Sequence, residues 1–158
     1  MTKPTADLCD EYGDALRVAA PIFADFGGIT AFHGLVATLK VHEDNSLVRT
    51  ALEEPGNARV LVVDGGGSLR CALVGDNLAA LGADNGWAGI VVYGCIRDAD
   101  PIGKIDIGVK ALATNPRKSI NKGAGERDIP IQFAQVTISP GDYIYADRDG
   151  IVVSERRL

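Results

Sequence analysis

Apolar residues change their spacing several times along this chain, and each change marks a predicted element. From about Thr5 to Val18, the residues Leu8, Tyr12, Ala15 and Leu16 recur at helical spacing, with Asp7 as a candidate cap. Gly27-Gly28 interrupts the pattern, and Leu35 to Val41 then reads as a strand rich in β-branched residues. Asp44-Asn45-Ser46 predicts the start of a helix that runs through Glu54 and stops at Pro55-Gly56. Val60-Leu61-Val62-Val63-Asp64 is apolar at both alternating positions, the pattern of a strand buried on both faces, and it runs into Gly65-Gly66-Gly67.

Cys71 to Gly75 is a further short apolar stretch. It hands over to a predicted helix from about Asp76 to Asn85, with Leu78, Ala79 and Leu81 facing inward. Gly89 to Gly94 repeats the doubly buried strand pattern, and Arg97-Asp98 follows closely. Ile105 to Val109 reads as a short strand or turn, and Asn115-Pro116-Arg117-Lys118-Ser119 as a basic loop. The last third turns to β. Ile129 to Ile138 is strand-like, Pro140-Gly141-Asp142 is a turn, Tyr143 to Ala146 is a strand, Asp147 to Gly150 is a hairpin turn, and Ile151 to Val153 closes the pattern. Mixed βα order followed by hairpins predicts a layered α/β fold with mixed sheets rather than a purely doubly wound one. No repeat or long linker divides the 158 residues, so one domain over residues 1–158 is expected.

Composition narrows the classes. An apolar fraction of 46% and a charged fraction of 23% are those of a packed chain, not a disordered one. A formal charge of −5 argues against direct nucleic-acid binding, which needs a basic face. Cys9, Cys71 and Cys95 form an odd set without CxxC spacing, which argues against a disulfide framework and structural zinc; Cys71 and Cys95 read as core. Met1-Thr2-Lys3-Pro4-Thr5 leads into charged residues rather than a signal-peptide core, and no apolar run suits a membrane span. The expected compartment is the cytoplasm.

The candidate chemistry lies at two strand ends. In open α/β sheets, ligands bind beyond the carboxyl ends of strands, where helix N-termini gather. Gly75-Asp76-Asn77-Leu78 spans such a handover, and a helix start exposes unpaired N–H groups that suit a carboxylate. Gly75, lacking a Cβ, would let a ligand approach the backbone. Arg97 offers a planar fork matched to a carboxylate, and Asp98 is a hard oxygen donor suited to Mg²⁺ or Mn²⁺. Twenty residues separate Asp76 from Arg97, giving an Asp-x20-Arg-Asp pattern.

With that pattern, the chain resembles the regulator of ribonuclease activity A family, which includes class II 4-hydroxy-4-methyl-2-oxoglutarate aldolases. The resemblance rests on Phe26-Gly27-Gly28, Val62 to Ser68, Ala72 to Asp76, Asp106-Ile107-Gly108, Asn115 to Lys118, Pro140-Gly141-Asp142, Ala146-Asp147 and Asp149-Gly150-Ile151. It implies a swivelling β/β/α domain and ring-shaped homotrimers, in some members stacked to hexamers. It also implies that the amides of Gly75 to Leu78, with Arg97, hold a pyruvyl carboxylate. Asp98 would anchor the divalent ion, and Asp76 would orient its water. The implied reactions are retro-aldol cleavage of 4-hydroxy-4-methyl-2-oxoglutarate and decarboxylation of oxaloacetate, both through a pyruvate enolate. Members with full aldolase activity carry a C-terminal extension that lends an acidic residue to a neighbouring subunit. Here the sequence stops at Leu158, which tilts the expectation toward decarboxylation. Members known as regulators can lose part of the Asp-x20-Arg-Asp set, which this chain keeps.

Competing readings are weaker. Gly65-Gly66-Gly67-Ser68 lacks both the P-loop ending and dinucleotide spacing, and reads as a tight turn. Asp147-Arg148-Asp149-Gly150 mimics a calcium-loop start but lacks the distal Glu. His33 and His42 read as structural or exposed, and Arg117, Lys118 and Lys122 as a solvated loop or a subunit contact. None of the six lysines is read as lying in an apolar strand, which disfavours Schiff-base catalysis. A methyltransferase is disfavoured because no glycine-rich loop precedes an acidic ribose-binding residue at the right distance. The remaining alternative is a non-catalytic regulator that binds and inhibits ribonuclease E.

Overall fold

The computed structural model describes residues 2–158; Met1, which opens the stretch read above as lacking a leader, lies outside them. Helix α1 (Thr5–Tyr12) is followed by β1 (Arg17–Val18), β2 (Ala24–Asp25) and the long β3 (Phe32–Lys40). Next come α2 (Ser46–Leu52), β4 (Val60–Asp64), β5 (Ala72–Val74), α3 (Asp76–Asp84), β6 (Gly89–Ile96), α4 (Ala99–Ile102) and β7 (Gly108–Thr114). Five short strands complete the chain: β8 (Glu126–Arg127), β9 (Ile131–Phe133), β10 (Val136–Ile138), β11 (Tyr143–Asp147) and β12 (Gly150–Ser154).

One mixed sheet runs in the order β1-β12-β11-β3-β4-β6-β7-β2, with β5 paired to β6 and β8 to β3. Its middle, β3-β4-β6-β7, is parallel, and both flanks are antiparallel. The alternation within β4 and β6 explains why both read as continuous apolar runs. Leu61, Val63, Ile90 and Val92 face a core shared with α2, α3 and α4, including Val48, Leu78, Ala79 and Ile102. Val60, Val62 and Val91 face the other way, onto Ile131, Phe133 and Ile138 of the β9-β10 hairpin and Ile144 and Val153 of β11-β12. Helices, central sheet and a second β layer form the expected β/β/α stack. Burying each such side chain contributes ~1.5–3 kcal/mol, so the central strands are anchored from both sides. A third cluster packs Leu8 of α1 with Tyr143, Tyr145 and Val152 on the outer face of β11-β12.

Several boundaries differ from the sequence reading. Helix α1 stops at Gly13, whose φ of 52° favours glycine, and Leu16 then packs against β11-β12 instead of extending the helix. Asp7 lies in the first turn, and Pro4 occupies the cap position. Helix α2 ends at Leu52, short of Glu54. The Ile129 to Ile138 stretch is a hairpin, not one strand: Ala134 and Gln135 turn it with φ of 50° and 65°. Strand β7 extends well past Val109 and contains Lys110, which is 2% exposed.

Two lysines correct the lysine reading: Lys40, exposed at the end of β3, and Lys110, buried within β7. For Lys110 the burial matters. Its register partner is Val91, so it lies on the face away from α3, where Nζ sits 3.1 Å from Asp25 Oδ1 and donates to the Asp147 carbonyl. The buried charge is neutralised there by Asp25, on the opposite side of the sheet from Asp76. The cysteines are free, and burial pushes the Cys71 and Cys95 thiols up. Among the described residues, no helix is long and apolar enough to cross a membrane.

Candidate active site

Parallel pairing of β5 with β6 brings the two strand ends together. Val74 lies opposite Ile96, and Arg97 N–H donates to the Val74 carbonyl at 2.9 Å. Gly75 therefore caps α3 directly beside Arg97 and Asp98. The Asp98 Oδ2 oxygen accepts a hydrogen bond from the Asp76 N–H at 3.1 Å, and Asp76 Oδ1 accepts one from the Asn77 N–H at 2.9 Å. All the residues singled out in the sequence thus converge. Asn77 and Asp98 are exposed, Gly75, Asp76 and Arg97 are half-buried, and Leu78 is buried. Leu78 packs its side chain into the helix-side core, so it can offer a ligand its amide alone.

Asp98 adopts the left-handed region at φ 58°, ψ 45°, and six other non-glycine residues among those described also have positive φ, so the conformation places its side chain without by itself marking a site. Its carbonyl accepts from the Ile102 N–H at 3.0 Å, starting α4, and Ile102 is fully buried. Gly75 differs from its sequence reading. What lies against its Cα is not open ligand space: a Cβ there would come within 2.8 Å of Asp98 Oδ2 and 3.6 Å of the Arg97 side chain.

The donor set suits a hard divalent cation. Asp76 and Asp98 supply carboxylate oxygens, and magnesium keeps several waters while using one or two protein carboxylates. Among the described residues, no three His, Cys, Asp or Glu side chains converge as a cluster that could hold a metal. A cation here would complete its shell with water and with oxygens of a bound oxyacid.

Neighbouring motifs resolve into structural roles. The Gly65 and Gly67 amides donate to the Tyr93 carbonyl at 3.1 Å, and the Gly66 amide donates to Asp64 Oδ1 at 2.9 Å. A loop whose amides are committed internally does not cradle phosphate, which upholds the tight-turn reading. His33 bonds the Tyr143 hydroxyl at 2.8 Å and stacks on Tyr145, while burial lowers its pKa. The basic loop is less free than expected: the Ala72 N–H donates to the Arg117 carbonyl at 2.7 Å, so its backbone flanks β5.

Two carboxylates escaped the sequence reading. Glu43 accepts from Arg70 and from the Ser68 hydroxyl, and the guanidinium holds it down at about 2. Asp44 was expected only to help start α2. It accepts from the Ser46 amide and hydroxyl and also from the Lys122 and Ala124 amides, at 2.6 to 3.2 Å. Those last two partners lie some eighty residues away, so no local pattern announces them.

Known proteins resemble this chain over nearly its whole length. The profile of the RraA-like family, described as Aldolase/RraA, matches residues 5–153. A protein of Alkalilimnicola ehrlichii is 63% identical over 158 residues, covering 100% of this chain and 98% of its own; its provisional name is 4-hydroxy-4-methyl-2-oxoglutarate aldolase. One of Aromatoleum aromaticum, with the same provisional name, is 60% identical over 158 residues, covering 100% and 99%. Among solved structures, the RNA-processing inhibitor RraA from Thermus thermophilis superposes with a TM-score of 0.96 at 45% identity, covering 100% of this chain and 96% of that one. A Geobacillus kaustophilus protein described as an S-adenosylmethionine:2-dimethylmenaquinone methyltransferase gives 0.95 at 49%, covering 99% and 97%.

Proposed function

The chain belongs to the RraA-like family, and from that premise we propose that it is a divalent-metal-dependent lyase that releases pyruvate from 2-oxo acids. The supporting observation is the contact of Arg97 and Asp98 with the first residues of α3, where an arginine, two carboxylates and a helix start meet. The substrates are 4-hydroxy-4-methyl-2-oxoglutarate, cleaved by retro-aldol reaction, and oxaloacetate, which loses CO₂. The Arg97 guanidinium grips the carboxylate of the pyruvyl unit, aided by the amides at the start of α3. The Asp76 amide already bonds Asp98 and the Asn77 amide already bonds the Asp76 side chain, which leaves the Leu78 amide as the better-placed donor. Asp98 holds the cation, and Asp76 orients water beside it. A bound Mg²⁺ or Mn²⁺ supplies Lewis acidity at the 2-keto oxygen. The electron pair of the broken C–C bond passes to the pyruvyl fragment, which is protonated and leaves as pyruvate. The other fragment leaves as CO₂ from oxaloacetate or, after its 4-hydroxyl gives up a proton, as a second pyruvate from 4-hydroxy-4-methyl-2-oxoglutarate.

The test is pyruvate release from both substrates by wild type, Arg97→Ala and Asp98→Ala. Each variant is expected to lose at least about a hundredfold in kcat/KM, the scale seen when a transition-state contact is removed. Unchanged rates in both would overturn the proposal. The Thermus inhibitor favours a second reading, in which the protein binds and inhibits a ribonuclease such as ribonuclease E. Inhibition of RNA cleavage that survives Asp98→Ala would support that role independently of the chemistry. The methyltransferase description of the Geobacillus relative finds no counterpart in the glycine loop described above. We further place the protein in the cytoplasm and propose a homotrimer, alone or stacked in pairs as a hexamer. Exposed Val18, Leu35, Leu69 and Ile120 support such contacts, and light scattering would distinguish one 16.6 kDa chain from three or six.

A further inference from the structure

We infer that Gly75 is a positioning residue for Asp98, holding the cation-binding carboxylate in place by leaving room for it; this rests on the metal-dependent reading above. Gly75 has φ −117° and ψ −172°, extended backbone that any residue adopts, so its conformation does not require glycine. Space does. A Cβ at this position would lie 2.8 Å from Asp98 Oδ2, closer than real Cβ contacts come, and 3.6 Å from Arg97 Cγ and Nε. The missing side chain is thus the place where the two functional side chains meet. Around that place, the Asp76 N–H donates to Oδ2, and the Asp98 carbonyl is tied into α4 through Ile102. Oδ1 accepts no hydrogen bond from the described residues, which leaves it available to a cation. Gly75 and the Asp76 amide therefore aim one carboxylate oxygen by fixing the other.

Gly75→Ala isolates this role, because the added methyl meets the end of a side chain and leaves the backbone conformation allowed. It should push Oδ2 off the Asp76 amide and turn the carboxylate. The experiment measures Mn²⁺ binding by electron paramagnetic resonance in wild type, Gly75→Ala, Asp98→Ala and the double variant, with Tm recorded for each. Gly75→Ala is expected to weaken Mn²⁺ binding about 10- to 100-fold, as loss of an outer-shell support does. The double variant should bind no worse than Asp98→Ala alone, because the methyl then has no carboxylate to displace. If Gly75→Ala lowers Tm, the double variant should recover it. Wild-type affinity in Gly75→Ala, independent multiplicative losses in the double variant, or a Tm loss that Asp98→Ala does not relieve would each overturn the inference. A wild-type protein that binds no Mn²⁺ would instead remove the metal-dependent reading on which it rests.

Discussion

Asp44 lies two residues ahead of Ser46 in α2, and Asp98 lies against the first residue of α3, yet the fold treats the two carboxylates differently. Asp44 is 1% exposed, and both its oxygens are occupied by four donors from Ser46, Lys122 and Ala124. It pins the segment around Lys122 to the start of α2. Asp98 is exposed, sits in a left-handed backbone conformation, and among the described residues its side chain accepts one hydrogen bond, on one oxygen. A saturated carboxylate has nothing left to offer a ligand, whereas an undersaturated one does. The number of partners, rather than proximity to a helix start, separates the structural acid from the functional one.

Substitutions at the two positions should therefore have opposite signatures. Asp98→Asn, which retains the shape and tolerates the left-handed conformation, should lower kcat/KM at least about a hundredfold while moving Tm by only about 2–3 °C. Activity assays beside thermal melts check this; a large Tm loss with intact turnover would reverse the assignment. Asp44→Ala should do the reverse. It orphans the Ser46, Lys122 and Ala124 amide donors and should cost about 1–3 kcal/mol in chemical denaturation, with little change in turnover per folded molecule.

Acid sharpens the contrast. Burial alone would raise the Asp44 pKa, but hydrogen bonds from Ser46, Lys122 and Ala124 hold it at about 2, below the ordinary 3.8. A carboxyl depressed in the folded state stabilises the fold above its unfolded value and loses that contribution as pH falls through the folded value. The Tm gap between wild type and Asp44→Asn should thus be constant above about pH 4 and shrink toward pH 2. Glu43 supplies the smallest effect and a control. It too is held at about 2, by Arg70 first, but that guanidinium is largely exposed. Glu43→Gln should shift Tm by no more than about 1 °C, because solvent screens such pairs. A shift as large as that of Asp44→Asn would show that a low pKa alone marks a structural acid.

Much of this was legible in the chain, for reasons particular residues make plain. Val60–Asp64 and the Gly89–Gly94 part of β6 announced themselves because strands covered on both faces carry no polar alternation. The meeting of the two strand ends was legible because parallel pairing puts neighbouring strand ends side by side, so Gly75-Asp76 and Arg97-Asp98 meet without long-range coincidence. What was hidden depended on distant partners. Strand β7 was cut short in the reading because Lys110 interrupts its apolar run, and its neutralisation by Asp25 on β2 is a tertiary fact. The β9-β10 turn at Ala134-Gln135 lacks the glycine or asparagine that flags a hairpin. Gly75 was read as open to ligand because the residues that approach it are more than twenty positions away.

The central claim is that Asp98 holds a cation without which no C–C bond breaks. Its most direct test follows pyruvate formation from 4-hydroxy-4-methyl-2-oxoglutarate, and separately from oxaloacetate, in one stirred sample given EDTA and then excess Mg²⁺. The enzymatic rate should fall to the protein-free background on chelation and return on addition of Mg²⁺ in wild type, and should not return in Asp98→Asn. A rate above background that ignores the chelator, or an Asp98→Asn protein that recovers as wild type does, would contradict the claim.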